Sequence, residues 1–236
     1  RARGSLEDPT KSLARWLSTR PYRRIKVPGT GRRIDMRRSV RKNIGHVIDR
    51  LVLSRVKKRL RKTRIVMMFD VSGSMDAFNP FLLQLMLGLQ QELKNSRTLV
   101  FSTNVTEITH MPRRGTVINT LKEVSDSVRH WSGGTDSGQA LAIANRGVMN
   151  EGSSRSTVAI IISDGYDNGQ MEKIANEMRA LRRRVKTVVW INPMYGASSF
   201  QVRASGMKAA LPFVDHFLPA FNSESLSLLV RALGKI

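Results

Sequence analysis

There is no cysteine anywhere in the 236 residues, and this absence alone removes a disulfide framework, a thiolate metal site and thiol nucleophilic catalysis. A reducing, cytoplasmic setting is therefore expected. Histidine is scarce too: His46, His110, His130 and His216 are scattered without zinc-site spacing, and no local sequence marks a Ser-His-Asp triad. Ser72 is a tempting nucleophile only in isolation, and His216 beside Asp215 reads as a packed or hydrogen-bonded structural residue. Aromatic residues make up 6% of the chain and Trp only three positions, too few for a base-stacking platform, so contact with nucleic acid would rest on charge alone. No Gly-x4-Gly-Lys-Ser/Thr run occurs, so the chain carries no P-loop and any ATPase has to act in trans. A non-enzymatic role is expected. Apolar runs stop at five or six residues and none opens the chain, so neither a transmembrane helix nor a signal peptide is expected. The opening Arg, in place of Met, reads as the cut edge of a longer chain.

Acid is the scarce charge. Eighteen Asp and Glu face 40 Lys and Arg, a formal net charge of +22, which calls for an acidic partner: protein, nucleic acid or an anionic membrane surface. The excess is concentrated. Residues 1–64 hold 22 basic and 4 acidic side chains, whereas residues 65–236 hold 18 and 14. We therefore divide the chain into a basic N-terminal arm, 1–64, with turn signals at Pro21, Pro28, Gly29 and Gly31, and a folded domain, 65–236. The densest stretch of the arm carries Arg55, Lys57, Lys58, Arg59, Arg61, Lys62 and Arg64. It reads as a solvated edge strand or helix leading into the core, or as a docking surface for an acidic partner, and the two are compatible.

Hydrophobic residues, 41% of the chain, are enough for a substantial core. The runs Ile65–Phe69, Val158–Ile162 and Val188–Ile191 are continuous rather than alternating, as in strands covered by helices on both faces of a parallel sheet. Between them, helical spacing recurs in Phe78, Phe81, Leu82, Leu85, Leu89 and Leu93, in Val117, Leu121, Val124 and Val128, and in Met171, Ile174, Ala175, Met178 and Leu181. A last helix aligns Leu226, Leu229, Val230 and Leu233. Two short strands, about 98–102 and 105–109, are separated only by Thr103 and Asn104, which predicts a hairpin and one antiparallel edge strand. The expected fold is α/β: a doubly wound, mostly parallel sheet with helices on both faces.

In such a sheet a polar site forms beyond the carboxyl ends of the strands, where the strand order reverses. The first run ends in Asp70-Val71-Ser72-Gly73-Ser74, a later loop reads Gly133-Gly134-Thr135-Asp136, and the second apolar run ends in Ser163-Asp164-Gly165. Each segment alone is an ordinary turn or helix-cap sequence. Together, Asp70, Ser72, Ser74, Thr135 and Asp164 make an all-oxygen set suited to a hard divalent ion, Mg²⁺ or Mn²⁺. Two carboxylates nearly neutralise the ion, and hydroxyls and water complete an octahedral shell with one vertex open to a partner's acidic side chain. Gly73 and Gly165 are expected in tight turns whose backbone conformation a side chain would resist.

These three segments resemble the metal-ion-dependent adhesion site of von Willebrand factor A (VWA) domains. The resemblance implies that Asp70, Ser72 and Ser74 are first-loop ligands, Thr135 the second-loop ligand and Asp164 the third. A narrower likeness is carried by Gly31-Arg32-Arg33-Ile34-Asp35, the Arg-rich lead into the first strand, Trp190-Ile191-Asn192-Pro193 and the segment Leu211 to Ala220. These look like the CoxE-like branch of bacterial VWA proteins. That likeness implies a MoxR-type AAA+ ATPase as partner and a role in maturing a metalloenzyme, the named case being carbon monoxide dehydrogenase with its copper-containing active site. The expected function is thus a metal-dependent interaction adaptor that grips an acidic residue of a client or of the ATPase. The alternative is an electrostatic nucleic-acid or anionic-surface binder working through the basic arm.

Overall fold

The structure is a computed structural model and describes residues 22–44, 52–61, 63–93, 95–110, 126, 134–150, 157–195 and 204–219. The chain divides into two compact units, one over Arg20–Lys62 and the other comprising Arg1–Thr19 and Thr63–Ile236.

In the smaller unit, β1 (Tyr22–Ile34) pairs antiparallel with β2 (Arg55–Arg61), and α1 (Met36–Asn43) lies between them in sequence. The helix begins where Asp35 turns its carboxylate to the Arg38 amide, 3.2 Å away, an N-cap. The returning strap is fastened by side chains. Asn43 both donates to the Val52 carbonyl at 3.0 Å and accepts from the Val52 amide at 2.9 Å, and the Ser39 hydroxyl accepts from the Ser54 amide at 2.9 Å.

The larger unit is built on a six-stranded sheet. Its elements are β3 (Arg64–Asp70), α2 (Asn79–Glu92), β4 (Ser96–Phe101), β5 (Val105–Glu107), α3 (Ser137–Arg146), β6 (Thr157–Ile162), α4 (Met171–Arg184), β7 (Thr187–Asn192), α5 (Ser205–Ala210) and β8 (His216–Pro219). The strand order is β5-β4-β3-β6-β7-β8, with every pair parallel except β4 and β5. The expected hairpin and antiparallel edge strand are present, with β4 starting earlier, at Ser96, and β5 ending earlier, at Glu107, than the sequence suggested. Residues of β3 alternate between two cores, which is why the run is apolar throughout. Ile65, Met67 and Phe69 pack with Leu82, Leu85, Met86 and Leu89 of α2, whereas Val66 and Met68 join a cluster with Ala140 and Leu141 of α3 and Ile174, Met178 and Leu181 of α4. Burying each such aliphatic or thioether side chain stabilises the fold by roughly 1.5–3 kcal/mol.

Arg64 does not belong to the basic arm: it is the first residue of β3, paired with Thr157, and the boundary between units falls after Lys62. The helix expected over Val117 to Val128 and the last one over Leu226 to Leu233 lie outside the described residues, apart from helical Asp126. Among the described residues no helix is long and apolar enough to cross a membrane.

Candidate metal centre

The chain leaves β3 for β4 on one side and later leaves β6 for β7 on the other, with α2 on one face and α4 on the opposite face. The strand order therefore reverses between β3 and β6, and a crevice opens at their carboxyl ends. Asp70 is the last residue of β3, and Phe69 pairs with Ile162, so the residue after β6, Ser163, stands level with Asp70. Its hydroxyl donates to Asp70 Oδ2 at 2.7 Å. The other oxygen, Asp70 Oδ1, accepts from the Ser72 amide at 2.9 Å. A short 3-10 turn, Gly73–Met75, then brings the hydroxyls of Ser72 and Ser74 within 3.2 Å of each other. Ser72 is buried, as are Asp70, Thr135 and Asp164, while Ser74 faces solvent.

Asp164 comes off β6 and accepts from the Tyr166 amide through Oδ1 at 3.0 Å. Two side chains of β7 staple the loop: Trp190 Nε1 donates to the Ser163 carbonyl at 2.9 Å and Asn192 Nδ2 to the Asp164 carbonyl at 3.0 Å. Gly165 follows at φ +80°, the left-handed region, and a Cβ there would stand 2.7 Å from Met207 Cβ. The expectation for Gly165 holds. That for Gly73 does not: among the described glycines only Gly165 has positive φ, because Gly73 merely opens the right-handed 3-10 turn.

Thr135 sits just before α3, on a segment tied on both sides. The Asp136 amide donates to the Ser102 carbonyl after β4 at 3.1 Å, and the Asn168 amide donates to the Thr135 carbonyl at 3.0 Å. The segment thus crosses the ends of the two strands flanking β3. Asp136, conspicuous in sequence, is the N-cap of α3 and accepts from the Gln139 amide at 2.7 Å. Asp167 was not singled out in the sequence, yet it joins two loops: Oδ2 accepts from the Ser137 amide and Oδ1 from the Gly169 amide, both at 2.6 Å. The roles of Ser163 and Asn192 were also unassigned. Ser163 is signalled by strand register, whereas nothing local marks Asp167.

Burial dominates the electrostatics. It pushes the Asp70 carboxyl up to about 7, against the opposing hydrogen bonds from Ser163 and Ser72, and the nearby Asp164 charge adds to the rise. Asp164 is raised in the same sense by burial, opposed by the Tyr166 amide and by the Ser74 hydroxyl, which stands near the carboxylate without closing a hydrogen bond of ordinary geometry to it. Asp164 Oδ2 is buried without a hydrogen-bond partner among the described residues. A buried carboxylate oxygen left unpaired is costly, and a cation between it, Asp70 and the serine hydroxyls would remove that cost. The crevice offers two carboxylates and the hydroxyls of Ser72 and Ser74, an all-oxygen set of the kind a hard divalent ion prefers. The chemistry of Asp70, Ser72, Ser74 and Asp164 fits such an ion, while Thr135 is placed by its backbone at the rim of the same strand ends.

Of the basic stretch, Arg55 is exposed at the start of β2, and Lys57, Lys58, Arg59 and Arg61 follow along that strand. Lys62 and the side chains of Lys57, Lys58, Arg59 and Arg61 lie outside the description. His216, expected to be structural, opens β8 paired with Val189, and the neighbouring Asp215, for which no role was expected, accepts from the Val188 amide at 2.8 Å and pairs with Arg182 at 2.8 Å.

The family model described as VWA domain containing CoxE-like protein matches residues 9–226. Among solved structures, a von Willebrand factor type A protein from Catenulispora acidiphila aligns with a TM-score of 0.52 and 16% identity, over 75% of this chain and 43% of that one. An aerotolerance-related membrane protein from Bacteroides fragilis aligns at 0.49 and 17%, over 74% of this chain and 100% of that one. Proximal thread matrix protein 1 from the mussel byssus, with a zinc-occupied MIDAS motif, aligns at 0.49 and 18%, over 72% and 46%. The chain thus spans less than half of the Catenulispora and mussel proteins. At 16% identity the likeness to the Catenulispora protein is one of fold. No curated protein matches the sequence.

Proposed function

The chain belongs to the family of CoxE-like proteins containing a VWA domain, and from that premise we propose that it is a metal-dependent, non-catalytic interaction adaptor. In this reading Asp70, Ser72, Ser74, Thr135 and Asp164 hold one Mg²⁺ or Mn²⁺. Ser163 orients Asp70 through its hydroxyl, while Trp190 and Asn192 hold the third loop in place. The ion, when bound, supplies a Lewis-acidic vertex for a carboxylate of another protein. Two protein carboxylates leave the centre close to neutral, so an incoming acid meets little repulsion.

The observation that carries the reading is the unpartnered, buried Asp164 Oδ2 in the same crevice as Asp70. Family likeness supports the rest: the partner is a MoxR-type AAA+ ATPase, the acidic residue comes from that ATPase or from a client, and the work is maturation of a metalloenzyme in the cytoplasm. The test is capture of partners from the native cell by tagged parent protein and by Asp70→Ala, each with and without EDTA. The reading expects partners held by the parent and released by chelator, with none held by the variant. Equal capture by both proteins, indifferent to chelator, would refute it.

A further inference from the structure

Six of the ten large hydrophobic side chains exposed among the described residues lie in the smaller unit: Ile34, Met36, Val40, Ile44, Val52 and Leu53. Five of them are brought together by α1 and the strap fastened to it. At 100° per residue, Met36, Val40 and Ile44 line a single stripe along and just past α1. Ser39 and Asn43, on the adjoining face, fasten the strap that carries Val52 and Leu53, so these stand along one border of the stripe. Arg37 and Arg41 occupy the other border, with Arg38 and Lys42 behind them. The exposures reach 65% at Met36 and 72% at Ile44, values that a side chain serving this unit's own core would not have.

The surrounding charge selects the occupant. Between Arg20 and Lys62 there are 17 Lys and Arg against Asp35 and Asp49 alone. A second copy of the unit would bring like charge to like. A nucleic acid would match the charge but leave six aliphatic side chains without use. An anionic lipid surface answers both features: headgroups meet the arginines while the stripe enters the acyl boundary. The charge is spread along two strands and a helix, which matches an extended surface better than the few acids of one peptide.

We infer that this unit is a peripheral docking module for anionic membranes, with Met36, Val40 and Ile44 as the inserting residues and Arg37 and Arg41 as headgroup contacts. The inference is independent of the metal centre. It is tested by co-sedimentation of the full chain with vesicles of phosphatidylcholine containing 30% phosphatidylglycerol and with vesicles of phosphatidylcholine alone. Binding to the anionic vesicles only, unchanged by EDTA, is expected. The triple variant Met36→Ser, Val40→Ser, Ile44→Ser should lose about tenfold or more in affinity, and Arg37→Glu with Arg41→Glu a similar factor. If the triple variant does not give the parent's circular dichroism, Ile44→Ser alone serves, with a smaller loss in the same direction. Anionic-vesicle binding undiminished in the apolar variants would overturn the insertion. So would failure of the parent to bind anionic vesicles, with or without binding to a short RNA duplex.

Discussion

Burial raises the carboxyls of both Asp70 and Asp164 above their ordinary value, and a cation bound between them would let both ionise together. The sign of the resulting pH dependence follows. With the Asp70 carboxyl at about 7 in the metal-free fold and roughly 3.9 in the unfolded chain, the folded state holds an extra proton between those values. Metal-free stability therefore falls as pH rises through that window and levels off above it. Bound Mg²⁺ displaces the proton, so the rise in melting temperature on adding Mg²⁺ should be small near pH 5.5 and reach a plateau near pH 8. In Asp70→Asn the rise should be absent at every pH, and stability in EDTA should lack the fall between about pH 4 and 7 that the parent shows. Thermal melts across pH, with Mg²⁺ or EDTA, check both. Gly165→Ala forces a side chain into a left-handed conformation against Met207, and a loss of about 1–3 kcal/mol is expected in chemical denaturation.

At the scale of elements, what could be read from sequence was whatever recurs locally. The apolar run Ile65–Phe69 announces a strand buried on both faces because each face has its own helices, and Asp70 is conspicuous because it ends that run. The two residues Thr103 and Asn104 betray the β4–β5 hairpin for the same reason. Contacts made across long separations were not legible. Asp167 reaches the Ser137 amide 30 residues earlier, and Trp190 reaches the Ser163 carbonyl from the neighbouring strand. The Gly73 expectation failed because a 3-10 turn needs no unusual backbone. Asp167 also yields a prediction of a different kind from the ligands. Among the described residues its carboxylate accepts from two backbone amides, so Asp167→Ala should weaken Mg²⁺ binding by loosening the α3 and β6 loops while leaving a stoichiometry of one. Asp164→Ala should abolish binding altogether. Isothermal titration of the two variants separates positioning from coordination.

For the molecule as a whole, net charge and the metal centre are separate devices on separate units. The sequence showed the asymmetry, with 22 basic residues before position 65, but not its boundary, since Arg64 is drawn into the central strand by pairing with Thr157. Nor did it show that α1 presents an apolar stripe among its arginines, because eight residues are too short for a periodicity to stand out. A partner gripped through the ion should be lost on chelation at any ionic strength, whereas contacts of the basic unit should weaken with salt and ignore EDTA. The most direct measurement is calorimetric titration of Mn²⁺ into the metal-free parent protein and into Asp164→Ala at pH 7.5. One ion per parent chain is expected, and none for the variant, which should still melt cooperatively in EDTA. A parent that takes up no ion, or a variant that binds as the parent does, would contradict that expectation.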